Sequence, residues 1–250
     1  MKKYMLALGL SLLTVLGLFT GCSPKAETAS DSDSLKIVAT IFPEYDWVRQ
    51  VLGDRAGEVQ LTLLLDSGTD LHSYQPTAAD MLTIGECDLF LYNGGESDAW
   101  VERVLATAAN PDRRTLSVME VLGDSVLEEE VVEGMQEAED HDHAEGEAHE
   151  EEADEHVWLS LRNARTACAE IARVLGELDP DHAAEYQANA ENYMAELEAL
   201  DGEYTALAEN AARRTVLVGD RFPFRYLMDD YGLEYYAAFS GCSAETEASF

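Results

Sequence analysis

Strand patterns alternate with helical patterns along the first half of this chain, and this alternation constrains the fold more than any other feature. Four short apolar runs are predicted as strands: Leu35–Thr40, Val59–Leu65, Asp88–Tyr92 and Arg114–Val118. Amphipathic helical patterns lie between them. Strands that alternate with helices form parallel sheets with right-handed crossovers. The sequence therefore predicts an α/β fold, with a first α/β lobe over residues 35–127.

The same alternation returns near the C-terminus, after two long helical patterns. Arg162–Leu178 has apolar residues at helical spacing, and a second helix is predicted over Asp181–Ala211. Strand patterns follow at Thr215–Gly219 and Leu233–Ala237. Two strands cannot complete a doubly wound sheet. We therefore expect an incomplete second lobe over residues 181–250 and a chain truncated at its C-terminus.

The first residues have the features of an export signal. Lys2 and Lys3 precede an apolar run that ends in Thr20-Gly21-Cys22, so residues 1–22 are predicted to be a signal peptide. Phe19–Cys22 resembles a bacterial lipobox, which implies that Cys22 is lipid-modified; an ordinary signal peptide or a short membrane anchor is the alternative. Residues 23–34 are rich in Ser, Ala, Asp and Thr and are predicted to form a flexible tether. We expect an exported protein, lipid-anchored to the outer face of the bacterial membrane or periplasmic.

Acidic residues far outnumber basic residues in this chain, with 50 Asp and Glu against 16 Lys and Arg. The formal net charge is −34 at pH 7, which argues against a nucleic-acid partner, because such proteins need a basic face. Glu128–Glu155 is the most acidic segment, with almost no large apolar residue after Val132, and is predicted to be a mobile loop. It contains His141, His143 and His149. These histidines either capture metal loosely or belong to a solvated acidic loop, and the pattern leaves both open.

Two other histidines have a more informative context. His72 follows a strand pattern and a short loop, and a helix opened by Thr77 follows it. That arrangement presents a side chain at the carboxyl end of a sheet, where α/β proteins bind ligands. His156 lies far downstream, directly after Asp154-Glu155. Two imidazoles in separate halves of an acidic, exported chain indicate a transition-metal site, with zinc as the favoured ion.

Four motifs, taken in order, resemble the substrate-binding lipoproteins of zinc- and manganese-uptake ABC transporters: Leu71–Pro76, Asp88–Gly95, Glu155–Ser160 and Tyr231–Leu233. The acidic insert lies where the zinc members of that family carry theirs. The resemblance implies two doubly wound α/β lobes joined by a long rigid helix, here within residues 156–180. It also implies a metal site in the cleft between the lobes and delivery of the metal to a membrane ABC permease. We expect a monomer.

The resemblance carries two metal ligands over directly, His72 and His156. At the position of the family's third histidine this chain has Arg221, and a guanidinium does not bind zinc. Asp220 is the candidate oxygen ligand in its place. Three further candidates follow: Cys242, Glu245 and Glu247. The family's fourth ligand, a carboxylate, comes from a region beyond the end of this sequence.

Asp220 and Arg221 each have a second interpretation. Asp220 precedes a helix that we predict to begin near Phe222, so it is equally suited to cap that helix. Arg221 is expected to pair with Glu245 or Glu247, because the guanidinium fork suits carboxylates.

Other cargoes and another class of protein compete with a zinc carrier. Two histidines fit zinc better than the carboxylate-rich sites that manganese prefers, but Mn(II) is the alternative cargo, as is an iron carrier or a metal-dependent adhesin of the same family. A secreted zinc hydrolase is the alternative from a different class. The sequence contains neither a His-Glu-x-x-His motif nor a Gly-x-Ser-x-Gly motif. We therefore expect a binding protein and not an enzyme.

Overall fold

Two parallel sheets organise the protein. The computed structural model describes residues 34–66, 68–106, 109–135 and 152–241. The part from Leu35 onwards forms one compact unit. Its larger sheet has four strands and its smaller sheet has two, so the predicted α/β class is confirmed.

The larger sheet contains the four strands predicted from the first half of the sequence. They are β1 Lys36–Ala39, β2 Gln60–Leu63, β3 Leu89–Tyr92 and β4 Arg114–Ser117, all parallel and in the order β2-β1-β3-β4. The central strands β1 and β3 are buried on both faces, and Ile37 and Leu89, which are paired partners, are both fully buried. Such continuous burial is typical of parallel strands covered by helices.

Seven α-helices complete the described fold: α1 Phe42–Leu52, α2 Ala78–Glu86, α3 Val101–Leu105, α4 Val118–Leu122, α5 Leu161–Leu178, α6 Ala183–Glu209 and α7 Arg225–Tyr231. Thr77 caps α2 as predicted, with its side chain accepting from the backbone N–H of Asp80. Short α4 was not predicted; it follows β4 without a loop because Ser117 caps it. In the described ranges no helix is long and apolar enough to cross a membrane.

The helix predicted over Arg162–Leu178 is present as α5, which begins after the Ser160 cap. The apolar face of α5, with Ala167 and Ile171 fully buried, belongs to the same apolar core as the helices α1 and α4 and the sheet strands β1 and β3. Residues 156–160 precede the helix and include a 3₁₀ turn at Val157–Leu159. Because α5 is packed into the core, this turn has a fixed position relative to the larger sheet.

The smaller sheet consists of β5 Thr215–Phe222 and β6 Glu234–Ser240, which are parallel and joined by α7. Its elements differ from the predicted bounds, because β5 continues three residues past Gly219 and α7 begins at Arg225. The buried Phe222 stacks on Tyr235 of β6, with ring centroids 4.0 Å apart. Pro223, which has no backbone N–H, follows at the end of the strand.

Candidate metal centre

The structure brings together the two histidines selected from the sequence. His72 Nε2 and His156 Nε2 lie 3.3 Å apart, although 84 positions separate the residues in the chain. His72 belongs to the 3₁₀ turn Leu71–Ser73, which follows β2 and its loop. His156 immediately precedes the turn that leads into α5. Both histidines are therefore presented by short turns that are attached to rigid elements.

The spacing of the two nitrogens suits a tetrahedral metal. Zinc–imidazole bonds are about 2.0–2.1 Å long, so two imidazole nitrogens on one tetrahedral zinc are about 3.3–3.4 Å apart. The observed separation of 3.3 Å falls in that range. The imidazole planes are tilted by 56° to each other. The pair can therefore form one edge of a tetrahedral site with little rearrangement.

A buried carboxylate fixes the ring of His156. Asp154 Oδ1 lies 2.9 Å from His156 Nδ1 and also accepts the backbone N–H of His156 at 2.9 Å. A carboxylate can only accept a hydrogen bond, so this contact favours the neutral tautomer of His156 that has its proton on Nδ1 and a lone pair on Nε2. This is the usual way in which an outer partner orients a metal-binding histidine.

His72 has a different set of outer partners. Its Nδ1 lies 3.0 Å from Ser97 Oγ and 3.6 Å from Glu155 Oε2. Glu155 is almost completely buried and accepts the backbone N–H of Ser97 at 2.7 Å. Burial opposes ionisation of Glu155, but the imidazole of His72 and the bonds from Ser97 hold the pKa of Glu155 below its ordinary value. Glu155 therefore places negative charge beside the metal-binding face.

Residues that follow β3 contact Glu155 and fix its position. Asn93, at the end of β3, donates from its side chain to the backbone oxygen of Glu155 at 2.8 Å. Gly95 has φ 82°, and a side chain there would overlap Glu155. The Asn93-Gly94-Gly95 stretch thus permits the close approach of the segment that carries His156.

The imidazole pair lies in a cleft with a volume of 680 Å³. Both sheets contribute to its walls. The side that includes the larger sheet provides mainly Ile41, Phe42, Pro43, Leu65, Asp70, Leu71 and Trp158, and the side of the smaller sheet provides Asp220, Arg221, Pro223, Phe224 and Gly241. The metal-binding face therefore opens into a cleft between the two sheets.

Asp220 lines this cleft but occupies a different position from the one predicted. It lies within β5, and its Oδ1 accepts the backbone N–H of Arg221 at 2.8 Å. The predicted helix cap is wrong, because α7 begins only at Arg225. No three His, Cys, Asp or Glu side chains within the described ranges are grouped so that they could hold a metal ion together. The role of Asp220 as a metal ligand therefore stays a prediction.

Arg221 has an acidic partner on the opposite wall. Its Nη2 lies 3.1 Å from Asp70 Oδ2. The partners predicted for Arg221, Glu245 and Glu247, lie outside the described residues. The same applies to the remaining candidates from the sequence: Cys22, His141, His143, His149 and Cys242.

Sequence reasoning missed the outer partners of the two histidines. Asp154 and Glu155 directly precede His156, so the sequence alone could have identified Asp154 as a partner of the His156 ring. Ser97 carried no comparable signal, since it meets Glu155 only through a tertiary contact 58 positions along the chain.

Comparison with known proteins places this architecture in a family. The family model described as zinc-uptake complex component A, periplasmic (ZnuA) matches residues 37–250. The chain belongs to this family. It is 34% identical over 250 residues to the zinc-binding lipoprotein AdcA of Streptococcus pneumoniae, covering 100% of this chain and 46% of AdcA. It is 30% identical over 227 residues to the high-affinity zinc uptake system protein ZnuA of Bacillus subtilis, covering 91% of this chain and 67% of that protein.

Two solved structures have a similar fold. The Zn(II)-bound AdcA of Streptococcus pneumoniae superposes with a TM-score of 0.66 at 29% identity, covering 86% of this chain and 41% of the AdcA chain. A metal-dependent lipoprotein of Bacillus subtilis, YcdH, gives a TM-score of 0.66 at 25% identity, covering 82% of this chain and 67% of the YcdH chain. The chain spans about half the length of the AdcA relatives that it matches.

Proposed function

We propose that this protein captures Zn(II) outside the cytoplasm, with His72 and His156 as ligands, and delivers it to an ABC permease for uptake. The observation that carries the proposal is the 3.3 Å separation of the two Nε2 atoms, together with the Asp154 contact that leaves the lone pair of His156 on Nε2. The names of the relatives, a zinc-binding lipoprotein and a zinc uptake protein, support zinc as the cargo.

The proposed role is binding and release without turnover. Membership of a family of zinc-uptake components supports a carrier. Two neutral imidazoles favour zinc over manganese, which prefers oxygen ligands. Carboxylates beside the imidazoles, from Asp154 and Glu155, add the negative charge that a dication needs in a site removed from water.

We propose that Cys22 carries the lipid that tethers the protein to the outer face of the membrane. A lipid-modified cysteine attaches a protein without a spanning helix. The relative's description as a lipoprotein supports this location. The permease would then meet the loaded protein at the membrane surface.

We propose that the acidic insert adds weaker metal capture through His141, His143 and His149. The two ends of the insert are held together: Glu129 N–H donates to Glu152 O at 2.7 Å, and Glu128 and Ala153 form an antiparallel bridge. Because Glu128 and Glu129 already pair with Ala153 and Glu152, we expect the fold to tolerate deletion of residues 136–151. The tight site does not need them.

Competition titration against a chelator, at known free zinc and manganese, tests this function. His72→Ala and His156→Ala should each weaken zinc binding by at least about 10–100-fold, because each removes half of the imidazole pair and the loss of an outer partner alone has about that effect. Deletion of residues 136–151 should keep one tight site and remove weaker ones. His182→Ala is the matched control, because His182 pairs with Asp179 and does not line the cleft. Wild-type affinity in His72→Ala, or loss of the tight site in the deletion, would contradict the proposal.

A further inference from the structure

One ion pair crosses the cleft beside the imidazole pair. Arg221, on β5, reaches Asp70 in the loop between β2 and the turn that carries His72. The two oxygens of Asp70 have separate partners. Oδ2 lies 3.1 Å from Arg221 Nη2, and Oδ1 accepts the backbone N–H of His72 at 3.0 Å. A single carboxylate therefore connects a cation of the smaller sheet to the backbone of a metal-ligand residue.

The loop that carries Asp70 is bonded to the end of β1 at Leu64 and Leu65, and the bonds of Thr69 and Asp70 other than that to Arg221 stay within the loop and the following turn. Gly68 has φ 83°, and both the backbone N–H and the hydroxyl of Thr69 donate to the backbone oxygen of Asp66 in the same loop. The turn Leu71–Ser73 is a single 3₁₀ turn whose N-cap is Asp70. Short 3₁₀ turns have poorer hydrogen-bond geometry than α-helices. A contact that holds the Asp70 carboxylate thus constrains the orientation of the whole turn.

Arg221 has two opposite influences on a bound dication. Its positive charge lies on the wall of the same cleft as His72 and His156, and like charges repel. By this effect alone, removal of Arg221 would tighten metal binding. Its contact with Asp70 has the contrary effect, because it holds the turn in the conformation that presents the imidazole of His72.

We propose that Arg221 is a positioning residue of the metal centre, and that by holding Asp70 from the opposite sheet it raises zinc affinity despite its own charge. This inference rests on the proposed zinc-binding function. The side chains of Arg221 and Asp70 are 28% and 42% exposed, and pairs with such exposure contribute little to global stability. The effect is therefore local to the His72 turn.

A double-mutant cycle separates positioning from repulsion. Arg221→Gln removes the positive charge and the guanidinium group. Asp70→Asn keeps an acceptor for the backbone N–H of His72 but loses the negative charge that Arg221 binds. Arg221→Gln should weaken zinc binding by about three- to tenfold. The double variant should bind zinc no more weakly than Asp70→Asn alone, because Arg221 acts through Asp70. Tighter or unchanged zinc binding in Arg221→Gln would overturn the proposal, as would simple additivity in the double variant.

Further variants and measurements exclude other causes. Arg213→Gln removes one positive charge from an exposed residue that does not line the cleft, and it should leave zinc affinity unchanged. Arg221→Lys keeps the charge and should recover part of the loss. In Co(II)-loaded protein, the visible absorption bands should broaden in Arg221→Gln and sharpen again in Arg221→Lys, since they report the ligand geometry; identical bands in the three proteins would contradict positioning.

The failure of this inference is distinguishable from failure of the proposed function. If His72→Ala and His156→Ala abolish tight binding while Arg221→Gln does not weaken it, only the positioning role is wrong. If the two histidine variants bind zinc as the wild type does, the metal centre itself is wrong.

Discussion

A single oxygen of Asp154 holds both the ring and the backbone of His156, with Oδ1 lying 2.9 Å from Nδ1 and 2.9 Å from the backbone nitrogen. Both side chains are at most 5% exposed. The backbone oxygen of Asp154 accepts from the hydroxyl of Tyr226, on α7, at 2.8 Å, and this hydroxyl also accepts from the backbone N–H of Leu127 at 2.9 Å. His156 is thus positioned by elements from both sides of the cleft.

We predict that Asp154→Asn weakens zinc binding by about 10–100-fold, the usual cost of losing an outer partner of a metal-binding histidine. Asn can still accept the backbone N–H of His156, so the fold should persist, but it lacks the charge that favours a ligated imidazole. Competition titration measures the effect. Asp179→Asn is the control, because the Asp179 carboxylate contacts the ring nitrogen Nδ1 of His182, a histidine that does not line the cleft. Equal affinities in the wild type and Asp154→Asn would show that this carboxylate does not tune the site.

Local sequence patterns were sufficient to predict the parallel strands, because burial is encoded over a few residues. Selecting His72 and His156, which the structure brings together, also needed the family resemblance of the motifs around them. The end of β5 was not predictable in this way. Phe222 stays in the strand because it stacks on Tyr235 of β6, and nothing local reveals that contact. The Arg221–Asp70 pair joins residues 151 positions apart. The end of β5 and the partner of Arg221 are both determined by contacts between residues that are distant in the sequence.

Glu44 is another buried carboxylate, located in the first turn of α1. Its Oε2 accepts the backbone N–H of Thr40 at 3.0 Å, the hydroxyl of Thr40 at 2.8 Å and the backbone N–H of Ile41 at 3.2 Å. Its Oε1 has no hydrogen-bond partner among the described residues. Burial, with a further contribution from the charge of Asp98, raises the pKa of Glu44 to about 8.

This raised pKa predicts a pH dependence of the free energy of unfolding. The native protein keeps a proton on Glu44 up to about pH 8, whereas the unfolded chain releases it near the ordinary value of 4.5. The native state binds more protons in that window, so this contribution to stability is fully present below pH 4.5 and is lost as the pH rises through about 8.

We predict that Glu44→Gln removes this pH dependence, because the amide cannot ionise and still offers an oxygen to Thr40. The free energy of unfolding is measured with denaturant at about pH 5 and about pH 9. Between these values it should fall by a few kcal/mol more in the wild type than in the variant. Glu203→Gln, at an exposed position of α6, should follow the wild type. Parallel pH curves for wild type and Glu44→Gln would show that Glu44 ionises normally.

Asp220 can be tested as a metal ligand without a simultaneous effect on a helix cap. Asp220 lies in β5 and lines the cleft, while α7 begins at Arg225, so a substitution there does not disturb a helix start. Its Oδ1 accepts the backbone N–H of Arg221 at 2.8 Å, and an asparagine oxygen can accept the same bond.

We therefore expect Asp220→Asn to preserve the fold and to weaken zinc binding by about tenfold, since a carboxylate is a far better zinc ligand than an amide. Competition titration measures it, with Asp229→Asn, an exposed position of α7 outside the cleft, as the control. The loss should be smaller than for His72→Ala, because the imidazole pair holds the ion when one oxygen is replaced. Wild-type affinity in Asp220→Asn would assign the oxygen or sulfur ligand to Cys242, Glu245, Glu247 or water instead.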